Sequence, residues 1–92
     1  MHLSIDEFRC KLINKILFAG SQDEVKRLCN AAVKELELNN INDLILAGFA
    51  VKMISELEKF SPMEKDAQQW SNIRMAGIQF KHIQRQSAIR VG

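Results

Sequence analysis

Residues 21–38 read SQDEVKRLCNAAVKELEL. Ser21 is followed three residues later by Glu24, the spacing of a capping box. In such a box the serine side chain accepts from the N3 amide and the glutamate reaches back toward the cap. Behind it, Val25, Leu28, Cys29, Ala32 and Leu36 form one apolar stripe at helical spacing, and Lys26, Arg27, Lys34 and Glu35 fall off it. A helix with a written start and a single greasy face is predicted over 22–38.

The same punctuation recurs on either side. Ser4 with Glu7 opens a stripe through Ile5, Phe8, Leu12, Ile13 and Ile16, and Leu3 and Phe8 hold the two positions of a hydrophobic staple. Ser61 with Glu64 makes a third box, with Pro62 at the first helical position, where a missing N–H costs nothing. Asn42 before Asp43 is a plainer cap. Four helices are therefore predicted, over 5–19, 22–38, 43–60 and 62–88. Gly20 stands where a left-handed C-terminal cap belongs. The links are so short that sequential helices must run antiparallel or at a steep angle to one another. The expected fold is all-α: one domain over 1–92, a four-helix bundle of two antiparallel hairpins with a longer C-terminal helix.

The third and fourth helices carry the less ordinary patterns. LILAGFAV, residues 44–51, is apolar all round, which predicts that the third helix is the most buried. In the fourth, Met63, Trp70, Ile73, Gly77 and Phe80 recur at nearly seven-residue intervals, a short seam of the coiled-coil type. Its length of about 40 Å at 1.5 Å per residue exceeds that of the others, so its last turns are expected to project. The predicted core is Ile5, Phe8, Leu12, Ile16, Val25, Leu28, Cys29, Leu36, Leu46, Phe49, Met53, Leu57, Trp70, Ile73 and Phe80.

Composition narrows the function classes. Thirteen Lys and Arg against 11 Asp and Glu give a net charge of +2, too near balance to demand a strongly charged partner for the whole chain. Leu, Ile, Val and Phe make up 28 of 92 residues, enough to fold. The longest apolar run, Leu44–Val51, is far short of the roughly 20 residues of a membrane span. MHLSIDEF places acids where a signal peptide has its apolar core. A cytoplasmic protein with no membrane partner is expected. Two cysteines cannot build a disulfide framework.

No catalytic residues are predicted. The carboxylates fall at helix starts or on solvent faces, and there is no phosphate loop, nucleophile elbow or ligand triad. No metal or cofactor is expected either: Cys10 and Cys29 could approach across the first hairpin, but no C-x-x-C or paired histidines accompany them. Cys29 sits mid-stripe, as a small hydrophobe would. Trp70 and its amide neighbours could line a pocket for a small apolar ligand, and core packing is the plainer reading.

Two surfaces remain. Leu44, Gly48 and Val51 lie opposite the core face of the third helix, and Phe18 falls on the polar side of the first. Excess apolar surface of this kind marks contact sites, which predicts self-association or an unidentified protein partner. The second surface is basic. After Asp66 no acid occurs, so residues 67–92 carry +4 through Arg74, Lys81, Arg85 and Arg90. Arg74, Lys81 and Arg85 share one helix face with His82 beside it, the arrangement of phosphate contacts to nucleic acid. A helix C-terminus collecting cations against its dipole accounts for the same residues.

FAGSQDEV, residues 18–25, and FSPMEKDAQQWSNI, residues 60–73, resemble strings in a family of small all-helical bacterial proteins without an assigned function. The resemblance runs over roughly residues 8–83. It implies a bacterial cytoplasmic origin and an all-helical domain, and it transfers no catalytic or binding residue. The leading expectation is a non-enzymatic interaction module working through the third helix. The alternative is an accessory nucleic-acid-binding protein working through the fourth.

Overall fold

The computed structural model of the chain describes residues 4–91, and their side chains through residue 87. The described residues form helices α1 (Ile5–Leu17), α2 (Gln22–Leu38), α3 (Asp43–Glu58) and α4 (Ala67–Val91), with a short 3₁₀ turn at Pro62–Glu64 and no strand. The fold is all-α and bundle-like, with the longest helix last. Its radius of gyration is 12.9 Å, near the ~13 Å expected of a compact chain of about this length.

Each start is capped as its side chains require. Ser4 Oγ accepts from Glu7 N at 3.3 Å, Ser21 Oγ from Glu24 N at 3.1 Å, and Asn42 Oδ1 from Ile45 N at 2.9 Å. Glu24 reaches back one residue further than a capping box requires and accepts from Gly20 N. Leu3, and with it the expected staple, lies outside the described residues.

The third box does something other than start the long helix. Ser61 Oγ accepts from Met63 N, and Lys65 then adopts an extended conformation that ends the turn. The long helix begins afresh at Asp66, whose Oδ1 accepts from Gln69 N at 2.7 Å. Lys65 lies over the Phe60 ring, 5.0 Å from its centroid, a cation–π contact that folds the turn against the end of α3. Met63 is 95 % exposed, so the apolar seam begins at Trp70.

The helix ends also differ from expectation. No described glycine has positive φ, and Gly20 is not a left-handed cap. That role falls to Asn40, with φ of 63°. Asn40 N donates to Glu37 O at 3.0 Å and Ile41 N to Leu36 O at 3.1 Å. These are the two bonds of a Schellman motif. Helix α1 stops at Leu17, with Phe18 as C-cap, and α3 stops at Glu58.

The core is assembled on α4, which packs on all three other helices and most extensively on α3; α1 also touches all three, over smaller contacts. Helix α3, expected to be the most buried, packs on α4 and α1 and keeps one side free, because no helix lies over it. The chain turns back at the first and third links, while α2 and α3 share no substantial contact. The C-terminal half of α3 lies beside the start of α4 and Leu46 beside Ile83 and Ser87, while the start of α1 faces the end of α2. Phe8, Phe49 and Phe80 form an aromatic ladder across α1, α3 and α4, with centroids 5.9 and 6.0 Å apart. Rings at such spacing in tilted or edge arrangements add to the energy of burial.

Of the predicted core, Ile5, Phe8, Leu28 and Trp70 are half-buried and the rest are buried. Leu17, Ala19, Ala32, Ala50, Ala76 and Ile83 join them. Two polar side chains, Asn72 and Ser87, are buried as well. Burial of Ile83 and Ser87 shows that α4 stays packed through residue 87 instead of projecting, alongside the last turns of α2.

Candidate functional site

The outward side of α3 is set by what α3 buries. Leu46, Phe49, Ala50, Met53 and Leu57 face inward. At 100° per residue the opposite side carries Leu44, Gly48, Val51 and Ser55. Leu44 is 67 % exposed and Val51 is 47 % exposed. Gly48 is exposed, and a Cβ built on it meets nothing within 4 Å. Three of the four predicted interface residues thus share one open stripe.

Ile45, absent from the sequence-based set, borders the stripe and is itself exposed. With Gly48 and Lys52 it faces Ser4, Ile5 and Asp6 at the start of α1 across a shallow groove. Its position one residue after Leu44 on an apolar helix was the available signal. Phe18 is 79 % exposed, but it caps the far end of α1, about 20 Å along the helix from Ile5 at 1.5 Å per residue. The structure does not bring it into the α3 stripe.

The basic residues of α4 are likewise on one side. Ile73, Ala76, Phe80 and Ile83 turn inward, and Arg74, Lys81 and Arg85 are exposed on the opposite ridge with His82 beside them. Among the described residues the ion pairs are Arg9–Asp6 and Lys59–Glu56, so none engages this ridge. The side chain of Arg90 lies outside the described residues. Ile78, 60 % exposed, sits at the middle of the ridge. It is four residues after Arg74 and three before Lys81, a placement legible on a helical wheel.

Trp70 is half-buried, neither a core centrepiece nor an open handle. It lines a groove between α3 and α4 together with Arg74 and Lys81. Its amide neighbour Asn72 is fully buried and has a different task. Asn72 Nδ2 donates to Ile16 O at 3.0 Å and to Ala19 O at 2.8 Å, and its Oδ1 accepts from Gln68 Nε2 at 2.9 Å. A side chain on α4 thus takes up the Ala19 carbonyl just past the end of α1 and adds a second donor to Ile16 O, which Ala19 N also meets at 3.2 Å.

The cysteines do not present a common thiol pair. Cys10 is exposed and Cys29 is buried, and both are free. Burial pushes the Cys29 thiol up to about 12 from 9.0, which keeps it protonated and unreactive. Among the described residues no three of His, Cys, Asp and Glu converge as metal ligands. No described helix is long and apolar enough to cross a membrane.

Comparison with protein-family models, with curated proteins and with solved structures finds no match to the chain.

Proposed function

We propose that this protein is a non-enzymatic, cytoplasmic interaction module that pairs with a second copy of itself through the outward stripe of α3. The observation that carries the reading is the open Gly48 between two exposed apolar neighbours, Leu44 and Val51. A helix crossing another at a glycine can bring the two backbones close, since no Cβ stands between them. A two-fold crossing there sets the same patch against itself, as cyclic dimers require. Leu44 of each copy then lies beside the apolar stem of the other's Lys52, and no acid interrupts the stripe between residues 44 and 52.

The stripe from Leu44 to Lys52 is about 12 Å long at 1.5 Å per residue. Such a contact falls short of the ~800 Å² per partner typical of stable complexes. The expected dimer is therefore weak and concentration-dependent.

Light scattering over a dilution series tests the reading. The mass should rise from 10.5 kDa toward twice that value as concentration increases. Gly48→Glu should hold the protein at the monomer mass while its circular dichroism stays helical. A variant that still pairs puts the interface elsewhere, and a wild-type chain that is monomeric throughout removes self-association.

Nucleic-acid contact through Arg74, Lys81 and Arg85 is the lesser reading. The cations are exposed and free of ion pairs among the described residues, but Ile78 lies in their midst and would be pressed against phosphate.

A further inference from the structure

Between the C-terminal half of α3 and α4 runs a groove of about 270 Å³. Its floor is Ile54, Leu57, Ile73 and Gly77, and Trp70 stands at the end nearer the start of α4. Arg74, Ile78 and Lys81 form the α4 rim, and Glu58 on the α3 rim is the one acid lining it. A Cβ added at Gly77 would meet nothing within 4 Å, so the middle of the groove is open.

These features belong to one kind of occupant. An apolar floor alone would suit any hydrocarbon, and two cations alone any phosphate. Here an exposed isoleucine lies between the cations, on the lip of the apolar floor. We infer that the groove holds a single aliphatic chain carrying an anionic head: a carboxylate, sulfate or phosphate. The chain lies over Gly77 toward Trp70, and the head rests between Arg74 and Lys81, on the rim away from Glu58. From Trp70 to Lys81 the helix rises about 16 Å. An extended ten-carbon chain, about 12 Å long from ordinary C–C geometry, fits that span. The site lies beside the outward stripe of α3 and does not depend on self-association.

Trp70 is the sole tryptophan and reports on the groove directly. The probes are sodium decanoate, decanol and decyltrimethylammonium, each below its micelle concentration. Decanoate should change the Trp70 emission saturably, and decyltrimethylammonium should not. An Arg74→Ala/Lys81→Ala double variant should bind decanoate about tenfold more weakly, the usual scale for losing charge-assisted contacts, with its response to decanol unchanged. Gly77→Leu should fill the groove and abolish the decanoate response while leaving helicity intact and the melting temperature at or above that of the parent. Equal binding of decanol and decanoate would overturn the inference, as would decanoate binding that survives Gly77→Leu. Two further arms separate other sources of anion. Sedimentation with phosphatidylglycerol vesicles, or binding of a single-stranded oligonucleotide, without a saturable decanoate response would make the ridge a surface contact and sink the groove.

Discussion

Asn72 offers the sharpest test of how this fold is held. Its side chain is fully buried, and both of its N–H bonds go to carbonyls at the end of α1. Asn72→Leu keeps the branched shape of the side chain, somewhat enlarged, and removes both donors. Each bond is worth roughly 1 kcal/mol net, and a buried acceptor left short of a partner adds a penalty of similar size. The added apolar burial offsets part of this, leaving an expected loss of about 2–3 kcal/mol. A chain of this length has roughly 5–14 kcal/mol to lose, and the melting temperature should fall by roughly 8–20 °C.

Asn72→Asp sharpens the argument. The introduced carboxylate would face the carbonyl oxygens of Ile16 and Ala19 at hydrogen-bond distance with no proton to give. Burial would raise its folded pKa above the ~3.9 of an unfolded aspartate. The folded state then holds a proton that the unfolded state has lost. The variant's stability is greatest below that unfolded value and declines as pH rises through the folded pKa. Urea melts followed by circular dichroism at pH 4.5 and 7.5, with wild type at each pH as reference, measure both effects. An Asn72→Leu deficit under about 0.5 kcal/mol, or an Asn72→Asp deficit that does not grow between the two pH values, would refute the capping role.

Other predictions follow from the same geometry. Asn40→Val should cost about 1 kcal/mol or more in urea melts, because a β-branched residue resists positive φ, whereas Asn40→Gly should be neutral or stabilising. Asp66→Ala should lower stability by about 1 kcal/mol, the usual cost of losing an N-cap, and Ser61→Ala by less, since Ser61 caps only the 3₁₀ turn; equal costs would contradict the observed start of α4. A thiol reagent at neutral pH should label Cys10 alone, with Cys29 reacting only on unfolding. The Cys29 thiol is raised from 9.0 to about 12, so its contribution to stability is complete below pH 9 and lost as pH climbs toward 12. Alkaline melts of Cys29→Ala against wild type should show that extra slope absent from the variant.

Much of the architecture was legible because caps and stripes are local signals. Ser4, Ser21 and Asn42 each specify a helix start through atoms three residues away. The core face of α2 was read from spacing alone. Other features rested on distant partners. Ser61 and Glu64 have the capping-box pattern, but Lys65 leaves the helix to lie over Phe60, and Asp66, an equally good cap, takes the start. Gly20 was the favoured residue for a left-handed turn, yet the end of α1 is closed by Asn72, more than fifty residues away. No window of local sequence contains both halves of that contact. The stripe of Leu44, Gly48 and Val51 was read from the wheel, while the groove beside Trp70 required knowing that α3 and α4 lie side by side. Phe18 and the stripe share an apolar, off-face pattern in the sequence, but the length of α1 separates them.

The central place of α4 has a consequence for how the chain reaches this state. It is the last of the four helices in sequence and the most extensive partner of each of the other three. While the chain is being synthesised, α1, α2 and α3 emerge without the Phe80 ring that Phe49 packs against and without the Asn72 side chain that closes on Ile16 and Ala19. Contacts such as Asn72 with Ile16 close loops of more than fifty residues, which lowers the folding rate relative to a bundle whose contacts all join sequence neighbours. The faces that α4 covers therefore stay uncovered until α4 has been made, even where α1 can already meet α2 and α3.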